Sequence, residues 1–170
     1  MLKIAICDNE IIFLNILRNI ISEYLEDKKL RYVIDIFLSG KEFVSEKTDM
    51  TKYDIVFLDV NMDEKNGIKV AKRFRISCPK SFLVFVTAFI NYALEGYKIE
   101  VTRYVLKDRC HLKNNIYEAL DVILSKMRHL SKYIEYEFNV GIRKLYPEDI
   151  IYVESTLHKL TFHVNNVSSI

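Results

Sequence analysis

Four polar residues, Asp8, Asp59, Thr87 and Lys107, each close a segment that reads as a strand, and those before Asp59 and Thr87 are wholly apolar. Leu2 to Cys7 leads into Asp8, Ile55-Val56-Phe57-Leu58 into Asp59, Phe82 to Val86 into Thr87, and Thr102 to Leu106 into Lys107. Unbroken runs rich in β-branched and aromatic residues suit strands buried on both faces of a parallel sheet. The polar residues then stand at carboxyl ends of strands, where open α/β sheets place their chemistry. Two carboxylates in one pocket repel each other and call for a cation. Hard oxygen ligands with few protein contacts favour Mg²⁺, which keeps most of its waters and bridges to a phosphate. Lys107 offers a positive charge suited to a phosphoryl oxygen, and Thr87 a hydroxyl at the same edge. Asp59 is then the natural nucleophile, forming an aspartyl phosphate. The transfer needs mainly positioning and charge neutralisation, which a metal and Lys107 provide. Any one of these residues alone reads as a loop residue or helix cap. All four on one sheet edge read as a site.

The elements between them must bring those ends together. Phe13, Leu14, Leu17, Ile20, Ile21, Tyr24 and Leu25 recur at helical spacing after the first strand. Tyr32 to Leu38 reads as a second strand, Ser39-Gly40 as a turn, Lys41 to Glu46 as a short helix and Lys47 to Thr51 as a loop. Beyond Asn66-Gly67, Ile68, Val70, Ala71 and Phe74 begin another amphipathic helix, which Pro79 stops. Ile90 to Tyr97 reads as a short helix, and Ile116, Leu120, Ile123, Met127 and Leu130 mark a long closing one. Five strands alternating with five helices predict a doubly wound α/β sheet, compatible with strand order 2-1-3-4-5. After Ser131 the rhythm changes. Tyr133 to Phe138 alternates with period two, and Gly141 to Leu145, Ile150 to Val153 and Leu160 to Val164 come after it without room for crossover helices. Those segments predict a separate, incomplete antiparallel β element.

The chain has 170 residues, 50% hydrophobic and 28% charged, with net charge +2. That length suits one good core plus an appendage, and the balance announces neither nucleic acid nor membrane. No apolar run reaches spanning length, and the N-terminus turns acidic too soon for a signal peptide. Cys7, Cys78 and Cys110 show no metal-type spacing and fit a reducing cytoplasm. The four glycines form neither GxGxxG nor a P-loop, so the usual nucleotide cradles are excluded.

Residues 1–131, with an acidic cluster, an Asp, Thr-Ala and a Lys in that order, resemble a bacterial two-component response-regulator receiver domain. The resemblance implies a flavodoxin-like fold and a phosphoprotein that catalyses only its own phosphorylation and dephosphorylation. It implies that Asp59 accepts a phosphoryl group from the phosphohistidine of a sensor histidine kinase. Asp8 and Asn9 then occupy the metal-binding acidic pair, Asn61 lends its backbone carbonyl to Mg²⁺, and Lys107 contacts the phosphoryl group. Thr87 is the switch hydroxyl, Tyr104 the aromatic that moves with it, and the surface over 90–130 relays the change, commonly as a homodimer. Three positions depart from the pattern. Asn9 replaces a carboxylate and predicts weaker metal binding, with Glu10 a possible substitute. Asp108 replaces a proline that follows a cis peptide; a non-proline cis bond costs roughly 3–4 kcal/mol, so a trans bond is expected, with Lys107 shifted or the loop strained. Asp63 replaces the common proline of the loop after Asp59.

Residues 132–170 resemble the opening strands of a LytTR-type DNA-binding domain, through Gly141-Ile142-Arg143, Pro147 to Ser155 and Leu160 to Val164. The resemblance implies a truncated output domain that reads promoter DNA in its full form, with His158 and Lys159 on a contacting loop. Over 133–170, Arg143, Lys144 and Lys159 face five acids, the wrong sign for a phosphate-binding surface. The leading expectation is a phosphorylation-controlled transcriptional regulator. A pseudo-receiver interaction module, its switching lost through Asn9 and Asp108, is the alternative. An aspartyl-phosphate phosphatase of the dehalogenase type fits less well, because Asn61 stands where a proton donor is needed.

Overall fold

The computed structural model describes residues 1–45, 47–62, 66–89, 92–130, 134–138, 141–145, 150–157 and 159–164. The chain divides into two units, Met1–Asp121 and Val122–Ile170. The boundary expected at 131/132 falls on residues outside the described ones.

In the first unit, β1 (Leu2–Cys7), β2 (Tyr32–Phe37), β3 (Ile55–Leu58), β4 (Phe82–Thr87) and β5 (Arg103–Leu106) form one parallel sheet in the order β2-β1-β3-β4-β5. This is the predicted order. Every residue of β3 is fully buried, as the unbroken apolar run requires. Burying one such side chain contributes about 1.5–3 kcal/mol. Helix α1 (Ile11–Asp27) turns Leu14, Leu17, Ile21, Tyr24 and Leu25 inward. Its Tyr24 packs edge-on against Tyr117 and donates to Asp121 of α5 (Leu112–Leu130) at 2.5 Å.

Local chemistry sets the shorter elements. Helix α2 spans only Gly40–Phe43, shorter than expected. Ser39 accepts from the Glu42 amide, and Glu42 reaches back to the Leu38 amide, a reciprocal cap that fixes its start. Within the expected loop, Met50–Lys52 makes a single 3₁₀ turn because Asp49 accepts from the Thr51 amide. Helix α3 (Asn66–Ser77) ends at a knot around Arg75. Its guanidinium donates to the carbonyls of Cys78, Pro79, Ser81, Ile99 and Glu100, at 2.8–3.4 Å. Helix α4 is Ala93–Lys98, and Ile90 lies outside the described residues.

In the second unit, β6 (Ile134–Phe138) pairs antiparallel with β7 (Gly141–Leu145), and β8 (Ile150–Thr156) with β9 (Lys159–Val164). Both pairings are the predicted antiparallel kind. Strand β8 runs three residues past the apolar pattern, because Glu154, Ser155 and Thr156 keep the ladder through main-chain bonds that hydropathy does not register. No helix among the described residues is long and apolar enough to cross a membrane.

Candidate functional site at the carboxyl edge of the sheet

Three main-chain bonds carry the ladder one residue beyond the strands. Asp8 donates to the Phe37 carbonyl at 3.1 Å, Asp59 to Cys7 at 2.9 Å and Lys107 to Thr87 at 2.9 Å. Each catalytic candidate is thus fixed by the sheet itself. The same small device recurs after these strands. Asp8 accepts from the Glu10 amide, Asp59 from Asn61, Thr87 from Phe89 and Asp108 from Cys110, always two residues on. Such side-chain turns bend the chain away from the strand while tying down the oxygen that makes them.

Three of the four predicted residues converge through their side chains. The Lys107 ammonium lies 2.7 Å from Asp8 and 2.9 Å from Asp59, with a third carboxylate, Glu10, at 3.3 Å. Asp8, Asp59 and Lys107 are almost wholly buried and Glu10 is exposed. Burial pushes the Asp8 carboxyl above its ordinary range, against the pull of Lys107. Burial also works against the charge on Lys107, but hydrogen bonds and attraction from Asp59 and Asp8 outweigh it and raise the ammonium's pKa. The face of Phe13 lies 4.3 Å from the same nitrogen.

Thr87 is fully buried, and its main-chain carbonyl takes the Lys107 amide. Tyr104 is half-buried, its ring edge-on to Phe85 and its hydroxyl donating to the Phe89 carbonyl. Asn61 donates its amide to Asp59, and Asn9 is exposed between Asp8 and Glu10. Glu10, in sequence only a possible substitute ligand, turns its carboxylate into the cluster because the Asp8 turn holds its amide. Carboxylate oxygens of Asp8, Glu10 and Asp59 lie within 4.8 Å of one another, a hard oxygen set of the kind a divalent cation takes.

Gly67 closes the site from below. A Cβ there would lie 2.4 Å from the Asp59 carbonyl oxygen and 2.6 Å from Val60 Cα, so only glycine lets α3 begin so close to the strand end.

The Lys107–Asp108 peptide is trans, as expected. The expected displacement of Lys107 does not occur: its nitrogen reaches both buried acids, and no left-handed φ marks the loop. Asp108 explains this, since its carboxylate holds the Cys110 amide at 3.0 Å and His111 at 2.6 Å. Asp63 and His158 lie outside the described residues. Lys159 begins β9 opposite Thr156, so it stands on a strand and not in the expected contacting loop.

The family model of the response regulator receiver domain matches residues 4–120. The chain belongs to this family. Among curated proteins, this receiver is 34% identical over 58 residues to the transcriptional regulatory protein LytR of Staphylococcus aureus, covering 34% of this chain and 24% of LytR. It is 29% identical over 107 residues to the sensory transduction protein LytT of Bacillus anthracis, covering 63% and 42%. The chain therefore spans less than half the length of either relative. The response regulatory domain of protein mrkE from Klebsiella pneumoniae shares the receiver fold, with a TM-score of 0.65 at 23% identity, covering 75% of this chain and 99% of that one.

Proposed function

We propose that this receiver is switched by phosphorylation of Asp59 and controls a DNA-binding output. The observation that carries the reading is the buried Lys107 ammonium joining Asp8 and Asp59 at 2.7 and 2.9 Å. In the transfer, an Asp59 oxygen attacks phosphorus of a sensor kinase phosphohistidine. The P–N bond breaks as the P–O bond forms, and the departing imidazole takes a proton from solvent. Lys107 turns its charge to a phosphoryl oxygen, and the Asp59–Asn61 turn ties down one carboxylate oxygen while the other lies toward Lys107. Asp8, Asn9, Asp59 and the Asn61 carbonyl, with Glu10 as a further carboxylate, would hold Mg²⁺, which would supply charge neutralisation.

Thr87 and Tyr104 then report the new group to the surface over 90–130, where a homodimer forms. The output is a LytTR-type domain begun by residues 132–170, which reads promoter DNA only in its complete form, with His158 and Lys159 among its contacts. The relatedness to LytR and LytT supports transcriptional regulation as the outcome. Asn9 favours a second reading, a pseudo-receiver that keeps only its interaction surface, because it removes one negative charge from the metal site.

One assay separates the two. The protein is mixed with Mg²⁺ and acetyl phosphate and weighed by mass spectrometry. One added phosphoryl group, lost in Asp59→Asn, is the expected result. No addition at saturation, or addition retained in Asp59→Asn, sinks the proposal.

A further inference from the structure

We propose that Phe13 is the positioning residue for Lys107, its ring walling the ammonium into the Asp8–Glu10–Asp59 cluster. Two of the three carboxylates are buried, but Glu10 is 67% exposed, so the cluster has an open side toward water. The two buried acids hold the Lys107 ammonium by charge, and on its flexible four-carbon stem a further contact narrows the positions it can take. Phe13 stands at the nitrogen, with its ring centroid 4.3 Å away. The electron-rich face attracts a cation without using any of its N–H donors, which leaves all three for the carboxylates. The Lys107 side chain is only 7% exposed, the desolvated setting in which this attraction is strongest.

The placement of the ring arises from the same turn as the acids. Asp8 holds the Glu10 amide at 2.9 Å, and the Glu10 carbonyl takes the Leu14 amide at 2.9 Å, opening α1. Phe13 rides in that first turn. One local structure therefore sets two carboxylates and the ring that meets the ammonium.

The positioning role stands on geometry; its effect on phosphoryl transfer rests on the function proposed above. The test uses the full chain, isotope-labelled for nuclear magnetic resonance, with Phe13→Leu and Phe13→Tyr. In the native protein and Phe13→Tyr, the Lys107 Hε protons carry an upfield ring-current shift and the ammonium protons exchange slowly enough to be seen. In Phe13→Leu, which keeps apolar bulk, both signatures are lost. Labelling by acetyl phosphate slows about fivefold in Phe13→Leu and stays within about twofold of native in Phe13→Tyr.

A native protein without the ring-current shift overturns the proposal. So does a Phe13→Leu variant whose ammonium signal is unchanged, or a Phe13→Tyr variant that fails as badly as Phe13→Leu, since that pattern means packing alone. If the native protein takes up no phosphoryl group, the phosphoacceptor reading fails while the resonance comparison still decides the role of Phe13.

Discussion

In the first unit the four residues of β3 are completely buried, whereas in the second unit six of the seven residues of β8 are exposed. Both strands are rich in apolar side chains. Ile55 to Leu58 are covered on both faces, while Ile151, Tyr152 and Val153 are 47–60% exposed among the described residues. The contrast teaches what a sheet must have to hold chemistry at its edge. Burial on both faces fixes β3 and β4 and most of β1, and β5 is held by its pairing to β4, so the residue after each strand arrives at a set place. A two-stranded ribbon with exposed faces is marginal in water and offers no such mount.

Truncation tests this contrast most severely. Phe57→Ala, in the fully buried β3, should cost about 3–5 kcal/mol in urea unfolding. A loss below about 1 kcal/mol would mean the sheet is less tightly packed than its burial says. Gly67→Ala comes next, at about 1–3 kcal/mol, because its methyl group meets backbone rather than a movable side chain. The same variant should depress Mg²⁺-dependent labelling of Asp59, and unaltered stability would show that α3 can retreat from the site.

A smaller effect sharpens the picture at the sheet's rim. The Tyr53 hydroxyl donates to Asp35 at 2.7 Å and Lys52 lies 2.9 Å from the same oxygen, which together hold the Asp35 carboxyl below its ordinary range. Burial, with Asp35 adding to it, pushes the Tyr53 phenol up to about 12. A depressed acid stabilises the fold above its unfolded pKa, and that contribution disappears as pH falls through the folded value. Tyr53→Phe should therefore cost under about 1 kcal/mol at neutral pH, discounted because Asp35 is over a third exposed. The difference from the native protein should shrink in acid below the ordinary carboxylate range; a gap that widens there would reverse the assigned sign. The smallest effect belongs to the ribbon. Val153→Ala should move stability by less than about 0.5 kcal/mol, and a loss several times larger would place β8 in a covered setting and erase the contrast.

The ends of β3 and β4 are legible in the sequence because two-sided burial writes an unbroken apolar run, and the polar residue closing it is easy to see. Asp8, Asp59 and Lys107 meet as that pattern predicts. Directions of side chains are less legible. Glu10 enters the cluster because Asp8 captures its amide, a consequence of one turn rather than of any periodicity. Phe13 reads as one more member of a helical stripe, yet its ring faces a charge 94 positions away in the chain, between Phe13 and Lys107. The expected shift of Lys107 fails for a similar reason. Asp108 reads as a missing proline, while its carboxylate makes a turn of its own. The polar end of β8 is invisible to hydropathy because ladder bonds leave no mark on side-chain polarity.

Arg75 has a mechanical consequence. Its guanidinium gathers carbonyls from the exit of α3 and from Ile99 and Glu100, the two residues just past α4. Glu100 is held there in a left-handed backbone conformation, with φ 56. Helix α4 is therefore a pointer pinned at its tail. Any reorientation about that pin would displace the Ala93 end most, a few residues along the chain from Phe89, whose carbonyl receives the hydroxyl of Tyr104.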